Sequence, residues 1–101
     1  MDATQDFINF ALSRPEYFHI AKSRIFLRLL MFISNGKKLP SDVYKEFSQI
    51  EAADIDQMIG LLAKVGLVEV GESNGAVIYS GTQDAKIFLE KVKKAKKELF
   101  L

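Results

Sequence analysis

The stretch SDVYKEFSQIEAADIDQMIGLLAKVGLVEVGESNGAVIY, residues 41–79, carries the patterns that decide the fold. A short helix is predicted to open at Ser41 and Asp42, and a tight turn follows at residues 49–51. A second helix is predicted over residues 52–65. The side chains that repeat on one face of these two helices are Val43, Tyr44, Phe47, Ile55, Ile59 and Leu62.

A β-hairpin is predicted after the second helix. Gly66 ends that helix, and residues 67–70 and 76–79 are rich in β-branched side chains, as strands are. Asn74 and Gly75 lie between the two strands. Both tolerate positive φ, so this pair predicts the tight turn that joins them.

Further helices are predicted on the N-terminal side. Residues 4–13 have helical spacing, with Thr4 as the cap, and Pro15 restarts the chain. Residues 16–35 are helical again, as one helix or as two with a break near Ser23.

The last predicted helix, residues 83–101, is capped by Thr82. We divide the chain into an N-terminal helical extension at 1–22, a central unit at 23–82 and a C-terminal dimerisation helix at 83–101, within one domain overall. The heptad-spaced apolar residues of the last helix are Ala85, Phe88, Val92, Ala95 and Leu99.

Composition excludes several classes of function. The 101 residues include no Cys and one His, His19, so neither disulfides nor a metal set is expected. No spacing suggests a nucleophile system, and we expect neither a cofactor nor an enzyme. The longest apolar run, 25–33, contains Arg28 and is too short to cross a membrane. With no signal-peptide pattern at the start, we expect a soluble cytoplasmic protein.

Three motifs stand in order along residues 23–101: Ile55-x-x-x-Ile59-x-x-Leu62-x-x-x-Gly66-Leu67-Val68, the Asn74-Gly75 turn, and Tyr79-x-x-Thr82-x-x-Ala85-x-x-Phe88-Leu89. With these motifs the segment resembles the winged helix-turn-helix regulators of the MarR, ArsR and PadR type and the small archaeal winged-helix proteins. Gly81 stands where the pattern usually has Leu, and Ala85 stands where it has Gly.

The resemblance, together with the helical spacing on either side of it, predicts a mainly α (α+β) fold: a winged helix-turn-helix with an extra N-terminal helix, a long C-terminal helix and a two-stranded wing. It also implies a homodimer, which fits a chain that is 49% hydrophobic with eight Phe. The aromatic stripe Phe7, Phe10, Tyr17 and Phe18 is core or dimer interface, with a ligand pocket as the alternative. The residues assigned to the dimer interface are Phe7, Phe10, Phe88, Val92, Ala95 and Leu99.

Double-stranded DNA is the partner that this resemblance implies, with the second helix in the major groove. Gln57 is the candidate base reader, since its amide matches adenine. Asn74 is the candidate contact on the wing. The candidate phosphate contacts are Lys37, Lys38, Lys45 and Lys64, with Arg24 and Arg28 as further positions.

Acidic residues support a second hypothesis, a winged-helix protein–protein interaction module that docks through the acidic helix 52–64 or through its apolar N-terminal face. Glu51, Asp54 and Asp56 cluster where that helix starts. Carboxylates stabilise a helix start, but they repel phosphates. The wing also lacks the basic residues that suit a minor groove. It offers Glu69, Glu72, Ser73 and Asn74 instead.

The lysines of the last helix have two interpretations. They are either the solvated side of a dimer helix or a basic arm that lies along a nucleic-acid backbone. The lysines concerned are Lys91, Lys93, Lys94, Lys96 and Lys97.

Overall fold

The computed structural model describes residues 2–99, with side chains to residue 97. The predicted end of the last helix at residue 101 lies outside this range. The elements of the described chain are α1 (Ala3–Ala11), α2 (Glu16–Lys22), α3 (Arg24–Ser34), α4 (Pro40–Glu46), α5 (Ala52–Lys64), β1 (Val68–Ser73), β2 (Ala76–Gly81) and α6 (Gln83–Leu99).

The first three helices are bounded by local hydrogen bonds. Asp2, and not Thr4 as predicted, caps α1, because its Oδ1 accepts the Gln5 N–H at 2.7 Å. The chain between residues 16 and 35 forms two helices. Ser23 separates them in an extended conformation, and its Oγ accepts the Phe26 N–H at 3.3 Å.

The α4 helix begins one residue earlier than predicted, with Pro40 at its first position. Asp42 lies inside the first turn, where its Oδ2 accepts the Leu39 N–H at 2.9 Å. Residues 47–51 then lead into α5, and within them the Ile50 N–H donates to the Phe47 carbonyl at 3.0 Å.

Gly66 ends α5 as predicted, through a Schellman motif. Its φ is +82°, and its N–H donates to the Ala63 carbonyl at 3.1 Å. The next N–H, that of Leu67, donates to the Leu62 carbonyl at 2.9 Å. This reversal directs the chain straight from the end of α5 into β1.

The wing is a two-stranded antiparallel sheet whose strands are longer than predicted, because residues 71–73 and 80–81 also pair. Asn74 and Gly75 form its two-residue turn with φ of +53° and +80°, both positive as a type I′ turn requires. At the other end, Lys38 and Tyr79 exchange backbone hydrogen bonds of 2.9 and 2.8 Å. The link before α4 is thereby tied to the wing.

One hydrophobic core unites the terminal helices with the central unit. Phe88 of α6 is fully buried. The centre of its ring lies 6.0 Å from that of Phe7 and 5.2 Å from that of Tyr17, both in edge-on contacts. Thr82 caps α6 as predicted, accepting the Ala85 N–H at 3.1 Å. Its hydroxyl also donates to the Gly66 carbonyl at 2.7 Å, which joins the start of α6 to the end of α5.

The residues assigned from sequence to the dimer interface lie mostly inside one protomer. Phe7, Phe88, Val92 and Ala95 are buried there, because α1 packs along α6 and covers the heptad seam. Phe10 is half-buried and stacks on Tyr17. The side chain of Leu99 lies outside the described residues.

Candidate nucleic-acid interface

The α5 helix presents one continuous exposed stripe. Its residues Ala53, Gln57, Gly60 and Lys64 recur at intervals of four, three and four, so they share one face. The opposite face, with Ile55, is buried in the core. Gln57 therefore lies where the sequence predicted it, in solvent between two residues with very small side chains.

The orientation of α5 on α4 is held by a side-chain hydrogen bond. The hydroxyl of Tyr44 donates to Oδ1 of Asp56 at 2.5 Å. This bond to a carboxylate raises the pKa of Tyr44 to about 12, because losing the proton would leave two negative charges side by side. From the sequence, Tyr44 was placed on the repeating face of its helix and Asp56 among the acidic residues at the start of the next helix. Their separation of twelve residues offered no signal of the contact.

Acidic side chains outnumber basic ones around the stripe. Residues 37–81 contain four Lys and seven Asp or Glu. Glu51 and Asp54, at the start of α5, are both exposed. The predicted acidic character of this helix start is thus a property of the folded surface as well.

The four lysines proposed as phosphate contacts differ in their surroundings. Lys37, Lys45 and Lys64 are exposed, but Lys38 is half-buried. Nζ of Lys38 stands 4.8 Å from the centre of the Phe32 ring and donates to the Gly36 carbonyl at 3.2 Å. Lys38 is therefore already engaged within the protein.

The wing combines carboxylates with exposed valines. Val70 and Val77 are 51% and 43% exposed, on the sheet face that they share with Tyr79. Burial raises the pKa of Tyr79, and the nearby Asp56 raises it further. The apolar pair of Val70 and Val77 was not predicted from the sequence. The alternation of side chains between the two faces of each strand could have indicated it.

The lysines of α6 are not all solvated. Lys91 forms an ion pair of 2.7 Å with Asp6 of α1, and its Nζ stands 5.5 Å from the centre of the Phe10 ring. Lys94 pairs with Glu90 one turn earlier at 3.0 Å, a hydrogen bond that lowers the pKa of Glu90. Lys91 thus joins the two terminal helices.

The last turn of α5 is linked to the N-terminal segment. Nη1 of Arg14 and the hydroxyl of Tyr17 both donate to the Val65 carbonyl, at 3.4 and 3.5 Å. Burial raises the pKa of Tyr17. The N-terminal segment is therefore hydrogen-bonded to the end of the helix that carries the stripe.

No helix in residues 2–99 has the length and apolar content to cross a membrane. Among the same residues, no cluster of three or more His, Asp or Glu is arranged to hold a metal ion.

Comparison with solved structures identifies the fold. No protein-family model and no curated protein sequence matches the chain. The crystal structure of the transcriptional repressor BigR from Xylella fastidiosa superposes with a TM-score of 0.69 at 18% identity, covering 96% of this chain and 95% of that one. An ArsR family transcriptional regulator gives 0.61 at 15% identity, covering 99% and 96%. Neither supports the likeness to small archaeal proteins. The predicted fold is confirmed: six helices and a two-stranded wing in the described residues make the chain a winged helix protein.

Proposed function

We propose that this chain is a cytoplasmic, homodimeric DNA-binding protein that regulates transcription, and not an enzyme. The observation that carries the proposal is the exposed stripe of α5, which belongs to a helix-turn-helix followed by a wing whose tip is exposed. In this fold the second helix of the motif enters the major groove. Both structural neighbours named above are described as transcriptional regulators.

The stripe suits close approach to DNA. Ala53 and Gly60 leave the helix backbone bare on either side of Gln57, whose amide can pair with an adenine edge. Lys64 ends the stripe, and Lys37 and Lys45 are the other exposed lysines proposed for phosphates. Asn74, at the tip of the wing, is the proposed contact to the neighbouring groove or backbone.

A dimer would place two such helices in successive major grooves, with half-sites about 34 Å apart. Because the heptad seam of α6 is covered, we propose that the contact forms at the end of α1. Leu12 is 66% exposed there, and Phe10 is half-buried close by in the chain. An exposed leucine of this kind is stabilised when a second copy covers it.

A titration of labelled duplex DNA at several salt concentrations tests the proposal. Mixed genomic fragments are the starting probe, and a single strand of the same composition is the control. We expect duplex binding that weakens linearly on a log–log plot, with a slope of about 0.9 per phosphate neutralised. If the duplex does not bind even at low salt, the proposal is wrong.

One observation favours a second candidate, a winged-helix module that binds a protein. The acidic excess in residues 37–81, together with exposed Val70 and Val77, describes a surface that suits a basic and partly apolar partner. The acidic helix 52–64 would then be the docking element.

The two candidates differ in the affinities expected for a basic peptide and for duplex DNA. A protein-binding surface of this charge should bind a basic amphipathic peptide at low salt and should not bind duplex DNA. A DNA-binding surface should bind the duplex and should not bind the basic peptide. Measuring both affinities on one preparation decides between them.

A further inference from the structure

A second surface, which no residue of α5 or the wing lines, carries basic side chains. Two adjoining apolar depressions share Val92 and Lys96 on α6. One lies between α3 and α6 with a volume of about 630 Å³, and the other lies where α1 and α2 meet α6, with about 340 Å³. We refer to the two together as the lysine-rimmed groove.

The floor of the lysine-rimmed groove is apolar and partly open to solvent. Leu27 and Leu89 line it and are half-buried, and Met31 on the same wall is 59% exposed. Phe18 and Ala21 continue the floor past α6. A run of apolar side chains in this state gains free energy when a partner covers it.

The rim of the groove has a single sign of charge. Lys22, Lys93 and Lys96 line it, and among the described residues no carboxylate lines either depression. None of these lysines takes part in an ion pair recorded among the described residues, in contrast to Lys91 and Lys94. Their charge is therefore available to a bound group.

We propose that the lysine-rimmed groove docks an acidic amphipathic helix of another protein. A groove between two helices accepts a third helix, whose apolar residues at i, i+3, i+4 and i+7 fill the floor. The segment from Leu89 to Lys96 is about 10 Å long at 1.5 Å per residue, two turns of such a partner. Glu or Asp on the flanks of the partner helix would pair with Lys22, Lys93 and Lys96.

A second copy of this chain fits the groove less well. A two-fold contact applies the same patch to itself, so lysine rims would face each other across the axis. A nucleic-acid backbone would satisfy the lysines but leave the apolar floor uncovered. The acidic helix satisfies both features, and its docking is independent of DNA binding because neither α5 nor the wing lines the groove.

The test uses the full chain and a labelled synthetic helix of about 15 residues, with Leu at the anchor positions and Glu on both flanks. Fluorescence anisotropy measures its affinity, and the same peptide with Lys in place of Glu is the first control. We expect the Glu peptide to bind roughly tenfold more tightly than the Lys peptide.

Protein variants locate the site. The double variant K93E/K96E should weaken binding of the Glu peptide roughly tenfold or more, whereas K86E/K97E, with the same net charge on the same helix, should change it less than about twofold. Met31→Ser removes apolar floor at an exposed position and should weaken binding a few-fold without unfolding the protein.

Several outcomes would overturn the proposal. Equal affinity for both peptides, or equal loss in both double variants, would mean that binding is not at the rim. A change in the solution mass of K93E/K96E would mean that a second copy occupies the groove. Weaker duplex binding without weaker peptide binding would make the lysines a DNA contact. Binding to phosphatidylglycerol vesicles without peptide binding would make the groove a membrane contact.

Discussion

Gly81 lies so close to Ser34 that a Cβ at position 81 would stand 2.3 Å from the Ser34 Oγ and 2.9 Å from its Cα. The end of β2 thus crosses the last turn of α3 with no room for a side chain. Winged helix-turn-helix sequences usually have Leu at this position, and the contact gives the physical reason why this chain has Gly.

Gly81→Ala should therefore destabilise the protein by about 1–3 kcal/mol, as overpacking does. The backbone of Ser34 would have to move, since rotation of its hydroxyl alone does not relieve the contact with Cα. Urea unfolding measures the change. Gly60→Ala is the matched control: nothing lies within 4 Å of its added Cβ, and Ala in place of Gly inside a helix should stabilise by about 0.5–1 kcal/mol. Equal effects at both sites would contradict the packing argument.

Gly75→Ala should cost about 1 kcal/mol, because φ at this position is +80° and a side chain there strains the turn. Gly71→Ala in the same wing should change stability by less than about 0.5 kcal/mol, since its added Cβ approaches no atom closer than 4.0 Å and its φ is not positive. The two variants are compared by urea unfolding. A neutral Gly75→Ala would show that the turn is not held in this form in solution.

The bond between Tyr44 and Asp56 predicts a pH dependence. It raises the pKa of Tyr44 from 10.0 to about 12, so its contribution to stability is complete below pH 10 and disappears as pH rises through about 12. Asp56→Asn should lower the pKa of Tyr44 toward 10 and also lower the pKa of Tyr79, as followed by tyrosinate absorbance. Asp54→Asn, a neighbouring carboxylate with no recorded bond to a tyrosine, should leave the pKa of Tyr44 unchanged. The same curve for both variants would argue against the bond.

Carboxylates at the start of α5 should weaken DNA binding. The double change Glu51→Gln and Asp54→Asn is expected to raise duplex affinity a few-fold to roughly tenfold at low salt, because two charges facing phosphates are removed. Lys45→Ala should lower affinity and reduce the salt slope by about 1. Glu16→Gln with Glu90→Gln removes the same charge elsewhere. If that control raises affinity as much, only net charge matters and α5 is not the contact.

Leu12→Glu should convert a dimer to a monomer, because it places a charge on the apolar end of α1 that we propose as the contact. Sedimentation velocity measures the mass, and duplex affinity should fall with it. Met31→Glu, at a comparably exposed site in the lysine-rimmed groove, should leave the mass unchanged. The reverse result would place the dimer contact in the groove and would also contradict the docking of an acidic helix there.

Local chemistry made much of this fold predictable. Thr82 caps α6, Gly66 ends α5, and Asn74-Gly75 turns the wing, because each depends on residues only a few positions away. Even here neighbours compete for a role. Asp2 stands two residues before Thr4 and takes the cap of α1, with its Oδ1 on the Gln5 N–H.

The candidate site was predictable in part. Helical spacing placed Gln57 on the exposed face of α5, and the acidic start of that helix was evident from composition. Periodicity did not show that Lys38 lies over the Phe32 ring or that Asp56 holds Tyr44, since each contact joins side chains from different elements.

The sequence by itself determined which segments are helical to within a few residues, which faces are apolar and how the wing turns, because short-range hydrogen bonding and side-chain spacing govern these features. Only the tertiary structure decided what covers each apolar face. The seam of Phe88, Val92 and Ala95 has the spacing of a dimer contact, yet α1 packs on it from more than seventy residues away along the chain. A periodic pattern specifies that a surface is to be buried, but the partner that buries it is selected by the packing of the whole chain.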